Sequence, residues 1–308
     1  MGQLVFILGR SGTGKSYSMR NFPKDKLAII NVQGKILPFK GSSQIEMTSE
    51  DRSEQILDAL DLYVRKGFKS IVIDDYQYVM ANEFMRRSTE RGYDKFTEIG
   101  RHAWDIASEI RLLPNDVIVY VLCHIDRDDE GNEKIKTIGK LLDEKICLEG
   151  MSTIVLKTNV TDGTYTFLTQ NNGKDTVKSP EGMFPSYAID NDLWYVDQKI
   201  RNYYELGEFI SDEDLKEIDE AVKHDDIPIK DEKKSRRGRR AKETSEEAEN
   251  ESKPEETAAN EETPLPTRKR RDTSEETPAP SEKPVRRRRR TTVDDIDVPF
   301  TFSDEDNN

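Results

Sequence analysis

The chain has little cysteine, modest hydrophobic content and no long apolar run. Its two cysteines, Cys123 and Cys147, are too few for a disulfide framework or a four-thiolate metal site. No stretch of about 18 apolar residues occurs, so no segment is expected to span a membrane. The apolar run Leu4 to Leu8 lacks a basic lead-in and a small-residue cleavage site, which argues against a signal peptide. Phe6 stands where a myristoylation signal needs Ser or Thr. Together these absences point to a cytoplasmic, reducing location. Hydrophobic residues make up 34% and charged residues 35% of the 308, with a net charge of -13. As an average, that acidic balance speaks against nucleic acid as a partner.

The average conceals two unlike parts. Residues 231–308 hold 18 Lys/Arg and 21 Asp/Glu, and few large apolar residues among Pro, Glu, Ser, Thr and Arg. Such a composition cannot offset chain entropy, so 225–308 is expected to be a disordered tail behind a folded domain at 1–224. The tail is organised in blocks. Basic clusters run over 233–240, 268–271 and 286–290, acidic spacers separate them, and Asp294-Asp295-Ile296-Asp297-Val298-Pro299-Phe300 comes near the end. Arginine blocks of this kind neutralise phosphates without reading sequence, or shield one another in an extended linker.

The front part alternates buried apolar runs with helical spacing. Runs at 3–8, 27–32, 71–73 and 117–122 read as strands, with helices near 15–22, 51–66 and 93–113. Asp162-Gly163 between 153–160 and 165–169 signals a hairpin, and Ser211 with Asp214 signals a capped final helix. The expected fold is α/β: a mainly parallel sheet with helices on both faces and a C-terminal β-hairpin extension.

Gly9-Arg10-Ser11-Gly12-Thr13-Gly14-Lys15-Ser16 matches the pattern G-x-x-x-x-G-K-[ST] in full, between a strand and a helix. Glycines let backbone N–H groups converge on phosphate oxygens, Lys15 reaches the terminal phosphates, and the Ser16 hydroxyl ligates Mg²⁺. Residues 9–16 with Tyr17 are therefore the expected ATP-binding residues. Asp74, at the end of the buried run Ile71-Val72-Ile73, completes the Mg²⁺ shell. Asp75 beside it either orients the attacking water or caps the next turn.

The Asp-bearing strand is the third strand-like run rather than the second, as in RecA-like and AAA-type motors. The phosphate loop, Asp74-Asp75 and the strand ending in Cys123-His124 resemble a RecA-like P-loop ATPase core. The segments 74–85 and 168–176 further resemble bacteriophage ATP-binding proteins related to Sak-type ATPases of single-strand annealing and recombination. That resemblance covers roughly 1–205. It implies an Mg²⁺-dependent ATPase working on single-stranded DNA in phage recombination, annealing or replication, assembled as a homo-oligomeric ring or filament in the host cytoplasm.

The family's second strand commonly ends in a Glu that activates water, and here Gln33 takes that place, which implies slow hydrolysis or a substitute carboxylate from Asp75. His124 occupies the position of a γ-phosphate sensor, or simply satisfies a strand end. The resemblance places DNA-contacting loops after these strands. Arg86, Arg87, Arg91, Lys95, Phe96 and Arg101 mix cations with rings there, and Lys134 and Lys136 lie in the second loop, 126–145. The competing reading is a solvated helix face, since acidic residues are interspersed. Arg101 or a loop lysine is also a candidate for reaching a neighbour's γ-phosphate. The acidic Pro-Phe segment resembles the tip by which bacterial single-strand-binding proteins recruit replication and repair enzymes, although eight residues follow Phe300. An alternative to the DNA motor is a nucleotide-gated adaptor that hydrolyses little and recruits such partners through its tail.

Overall fold

The computed structural model describes residues 1–227. The expected tail, with its arginine blocks and acidic tip, lies outside the described residues from 228 onward.

Strand β1 (Gln3–Leu8) is central. It pairs in parallel with β5 (Ile118–Cys123) on one side and β8 (Ile154–Thr161) on the other. Beyond β5 come β4 (Ser70–Asp74), β2 (Leu27–Asn31) and the short edge strand β3 (Glu46–Thr48), all parallel. Beyond β8 the sheet turns antiparallel through β9 (Thr164–Leu168) and β10 (Ala188–Asp190). The eight-stranded order is β10-β9-β8-β1-β5-β4-β2-β3. A two-stranded hairpin, β6 (Ile125–Arg127) with β7 (Glu133–Ile135), stands apart from it.

Period-two alternation divides the strand residues between two cores. Leu4, Phe6 and Leu8 of β1, with Ile71 and Ile73 of β4, face α1 (Ser53–Arg65), α2 (Gln77–Arg86) and α3 (Asp94–Ile110). Val5, Ile7 and Val72 face the other way, toward Met19, Phe22 and α4 (Leu193–Tyr203). Both faces are therefore covered, which is why these strands read as continuous apolar runs. The last helix, α5 (Asp212–Ala221), begins where the Ser211 hydroxyl accepts from the Asp214 N–H, as the capping signal implies. The hairpin turn follows its sequence signal too, with Asp162 and Gly163 both at positive φ.

Three elements differ from expectation. The segment after the phosphate loop is a six-residue 3-10 turn, Ser16–Asn21, rather than an α-helix over 15–22. Pro23 holds Phe22 in extended conformation and ends the turn early. The edge strand β3 and the hairpin β6–β7 have three residues per strand, too short for periodicity to register. Among the described residues, no helix is long and apolar enough to cross a membrane.

Candidate functional site

The carboxyl end of the sheet brings the two sequence motifs together. The strand lying between β1 and β4 is β5, and its last carbonyls tie down both neighbours. Cys123 O accepts from Gly9 N at 3.1 Å and Leu122 O from Tyr76 N at 3.0 Å. The phosphate loop and the Asp74-Asp75 pair are thus held to one strand end, in the crevice position where open α/β sheets bind ligands.

Each glycine of the loop has its own reason. A Cβ on Gly9 would lie 1.9 Å from Thr158 Oγ1, because β8 packs directly under the loop. Gly12 and Gly14 take positive φ, +78° and +95°. The loop is also laced from within: Thr13 Oγ1 meets Thr158 Oγ1 at 2.6 Å and donates to or accepts from it, while also reaching Arg10 O at 2.7 Å. Lys15 is buried, and its ammonium donates to Gly9 O and Arg10 O, both at 2.9 Å. Burial pushes the Lys15 pKa down, opposed by the charges of Asp75 and Asp74. Backbone carbonyls hold that ammonium where a phosphate would compete for it. The 3-10 turn that follows is too short to add a sizeable helix dipole, so the loop N–H groups and Lys15 are the candidate anion ligands.

Ser16 Oγ donates to Asp74 Oδ1 at 3.1 Å. A hydroxyl and a carboxylate at that separation suit Mg²⁺, which takes one or two protein oxygens and fills its octahedron from phosphates and water. Among the described residues no group of three His, Cys, Asp or Glu is placed to hold a metal by itself. Burial, then the charge of Asp75, raises the Asp74 pKa to about 6 against the Ser16 hydrogen bond. A raised carboxyl pKa favours the protonated folded form, so its stabilising contribution is present at low pH and is lost as pH rises through about 6. Asp74→Asn is accordingly expected to raise the stability of the nucleotide-free protein at pH 7.5 by on the order of 2 kcal/mol, with the gain shrinking below pH 6. Urea unfolding at both pH values checks this; a gain independent of pH would refute it.

Asp75 is buried and holds a positive φ of 64°, uncommon for a residue with a side chain. Its carboxylate does not cap α2. Oδ2 pairs with Lys35 Nζ at 2.5 Å and Oδ1 lies 3.4 Å from His124 Nε2. Burial acts to raise its pKa, but the hydrogen bonds from His124 and Lys35 prevail and hold it at about 2. So low a pKa makes Asp75 better suited to orienting a water than to taking its proton. His124 is fixed by its backbone N–H, which donates to Gln77 Oε1 at 3.2 Å, and lies edge-on to Tyr78. Gln33, by contrast, is directed to Asn82 on α2 at 3.4 Å, and is not among the residues lining the cleft.

The cleft so formed has a volume of about 660 Å³. Lys15, Ser16, Asp74, Asp75 and His124 line it together with Tyr17 and Tyr165 of β9, whose rings lie 6.2 Å apart. Ser11, Gly12 and Gly14 of the loop also line it. Arg10 is exposed and turns toward Glu133 of β7, 3.8 Å away. Lys35 also lines the cleft, and the sequence pattern gave no sign of it.

Four of the basic residues expected to contact DNA have partners within the chain, two of them, Arg86 and Arg101, on exposed positions. Arg86 pairs with Asp51 at 2.7 Å, and Arg87 binds Glu83, Glu90 and Glu98 together. Lys95 is buried and donates to the carbonyls of Arg87 and Glu90, beneath the stacked rings of Phe84 and Phe96. Arg101 pairs with Asp105 at 3.0 Å. Lys134 lies half-buried on β7, whereas Arg91 and Lys136 are exposed.

The strand order and the loop define an α/β fold, a mainly parallel eight-stranded sheet with a phosphate-binding-loop motif at the carboxyl end of its central strand. No protein-family model and no curated protein matches the chain. One solved structure to which it is similar is a KaiC-like protein from the hyperthermophilic archaeon Pyrococcus horikoshii OT3. The identity is 12% and the TM-score 0.34, over 54% of this chain and 77% of that one.

Proposed function

We propose that this chain binds Mg²⁺–ATP in the cleft and hydrolyses it, with single-stranded DNA as the effector, in phage recombination, annealing or replication. The observation that supports the chemistry is the Ser16–Asp74 pair, which brings the hydroxyl following the phosphate loop and Lys15 to within 3.1 Å of the carboxylate at the end of β4. Lys15 and the loop N–H groups would bind the phosphates, and Ser16 with Asp74 would hold the metal. Bound Mg²⁺ supplies charge neutralisation on the phosphate oxygens. Asp75 and His124 orient the attacking water.

Exposed Arg91 and Lys136 support the DNA reading, with Tyr93, 87% exposed, offering a ring for base stacking. Assembly of several copies into a ring or filament belongs to the same reading and would bring a neighbour's cation to the cleft. A second reading, the nucleotide-gated adaptor with little hydrolysis, draws on the internal pairing of Arg86, Arg87, Lys95 and Arg101 and on Gln33 facing Asn82. Steady-state ATP turnover of the full chain, with and without single-stranded DNA, separates the two. The DNA motor predicts stimulation of about tenfold or more that weakens steeply as salt rises. Measurable ATP binding without stimulation at any salt concentration would leave the adaptor.

A further inference from the structure

Lys35 is built into the cleft with more care than a surface lysine needs. It follows Gly34, whose φ of +61° turns the chain after β2. Asn31, buried at the end of β2, brackets the Lys35 backbone on both sides. Asn31 Nδ2 donates to Lys35 O at 2.6 Å, and Asn31 Oδ1 accepts from Lys35 N at 3.3 Å. Asn31 in turn is registered opposite Asp74 on β4, so the position of Lys35 is referenced to the metal-binding strand.

The side chain is guided as well. Its Nζ meets Asp75 Oδ2 at 2.5 Å and lies 5.2 Å from the centre of the Tyr78 ring. Yet the side chain remains 57% exposed, facing the same cleft as Lys15, Ser16 and His124. A half-exposed ion pair contributes little to stability, about 0–1 kcal/mol, so folding alone gives no reason for this scaffold. The site has a different need for it. Lys15 is buried in the loop, and Lys35 is a second ammonium lining the same cleft, paired with the Asp75 carboxylate.

We propose that Lys35 is a catalytic residue whose ammonium moves from Asp75 to the terminal phosphate of bound ATP and stabilises the charge on that group during transfer. The assignment rests on the ATPase reading above. In the step, the water oxygen bonds to the γ-phosphorus and the bond to the β–γ bridging oxygen breaks. That bond's electron pair leaves on ADP, and the water's protons pass to the phosphate product and solvent. Lys35 keeps its own proton and contributes charge alone. Since ADP lacks the terminal phosphate, Lys35 also makes the site prefer ATP.

Equilibrium binding of a non-hydrolysable ATP analogue and of ADP, each with Mg²⁺, tests this on wild type, Lys35→Ala, Lys35→Arg and Lys15→Ala, together with single-turnover hydrolysis of ATP. In Lys35→Ala, the ATP analogue is expected to bind about tenfold more weakly, while ADP affinity is unchanged and shows that the site is folded. The same variant is expected to hydrolyse about 10²-fold more slowly, and Lys35→Arg to regain most of the ATP preference. Lys35→Ala with wild-type preference and wild-type rate would overturn the assignment while leaving the ATPase reading intact. Wild-type protein that binds neither nucleotide would overturn both.

Discussion

Lys15→Ala is expected to abolish nucleotide binding and turnover while leaving the fold standing. The loop offers the phosphates backbone N–H groups and a single buried ammonium, and removing a charged donor of this kind costs about 10²–10³-fold in rate. The fold survives because Lys15 is not a stabilising charge in the nucleotide-free protein. Burial lowers its pKa, so the structure pays to keep it ionised there. The measurements are calorimetric ATP titration, turnover, and a thermal melt of the same sample. An unchanged melting midpoint with no binding is the expected pair of results. Retained ATP affinity would remove the loop from the site.

Gly9→Ala is expected to act in the opposite way, through the fold. The added Cβ would meet Thr158 Oγ1 at 1.9 Å and Thr13 Oγ1 at 2.7 Å, and both hydroxyls are already bonded to each other. Either β8 moves away from β1 or the loop lifts off the strand end, at a cost of about 3 kcal/mol. Gly12→Ala provides the comparison. Its Cβ meets nothing within 4 Å, so the only cost is the positive φ of +78°, about 1–2 kcal/mol. Chemical denaturation of both variants should rank Gly9→Ala clearly below Gly12→Ala. Equal stabilities would mean that β8 does not press on the loop.

These contrasts show where sequence was informative. The phosphate loop and the run ending in Asp74 are contiguous patterns whose spacing reflects backbone geometry, so they are legible in one dimension. The hairpin was legible for the same reason, since Asp162-Gly163 supplies the two positive-φ residues that a tight turn needs. What escaped depends on which atoms meet across the fold. Gln33 and Lys35 are two residues apart, yet one turns to Asn82 and the other into the cleft, a choice made by Gly34 and the Asn31 bracket. The basic residues around α2 and α3 were read as either a DNA contact or a solvated face with interspersed acids, and the pairs they form reach along neighbouring turns and, for Arg86, to Asp51 far away in sequence. Charge counted along the chain could not reveal which cations were already satisfied.

The place of β1 in the sheet has a consequence for how the protein is made. This strand is synthesised before its parallel partners β5 and β8, which begin at Ile118 and Ile154. Until Cys123 has been synthesised, Leu4 to Leu8 have no neighbouring strand, and Gly9 has no carbonyl to anchor it. Until Thr158 has followed, the floor beneath the loop is missing. The proposed nucleotide site, most of whose residues precede β5 in the chain, is therefore one of the later parts of the molecule to take shape, and a nascent chain carries the apolar β1 unpaired for that interval.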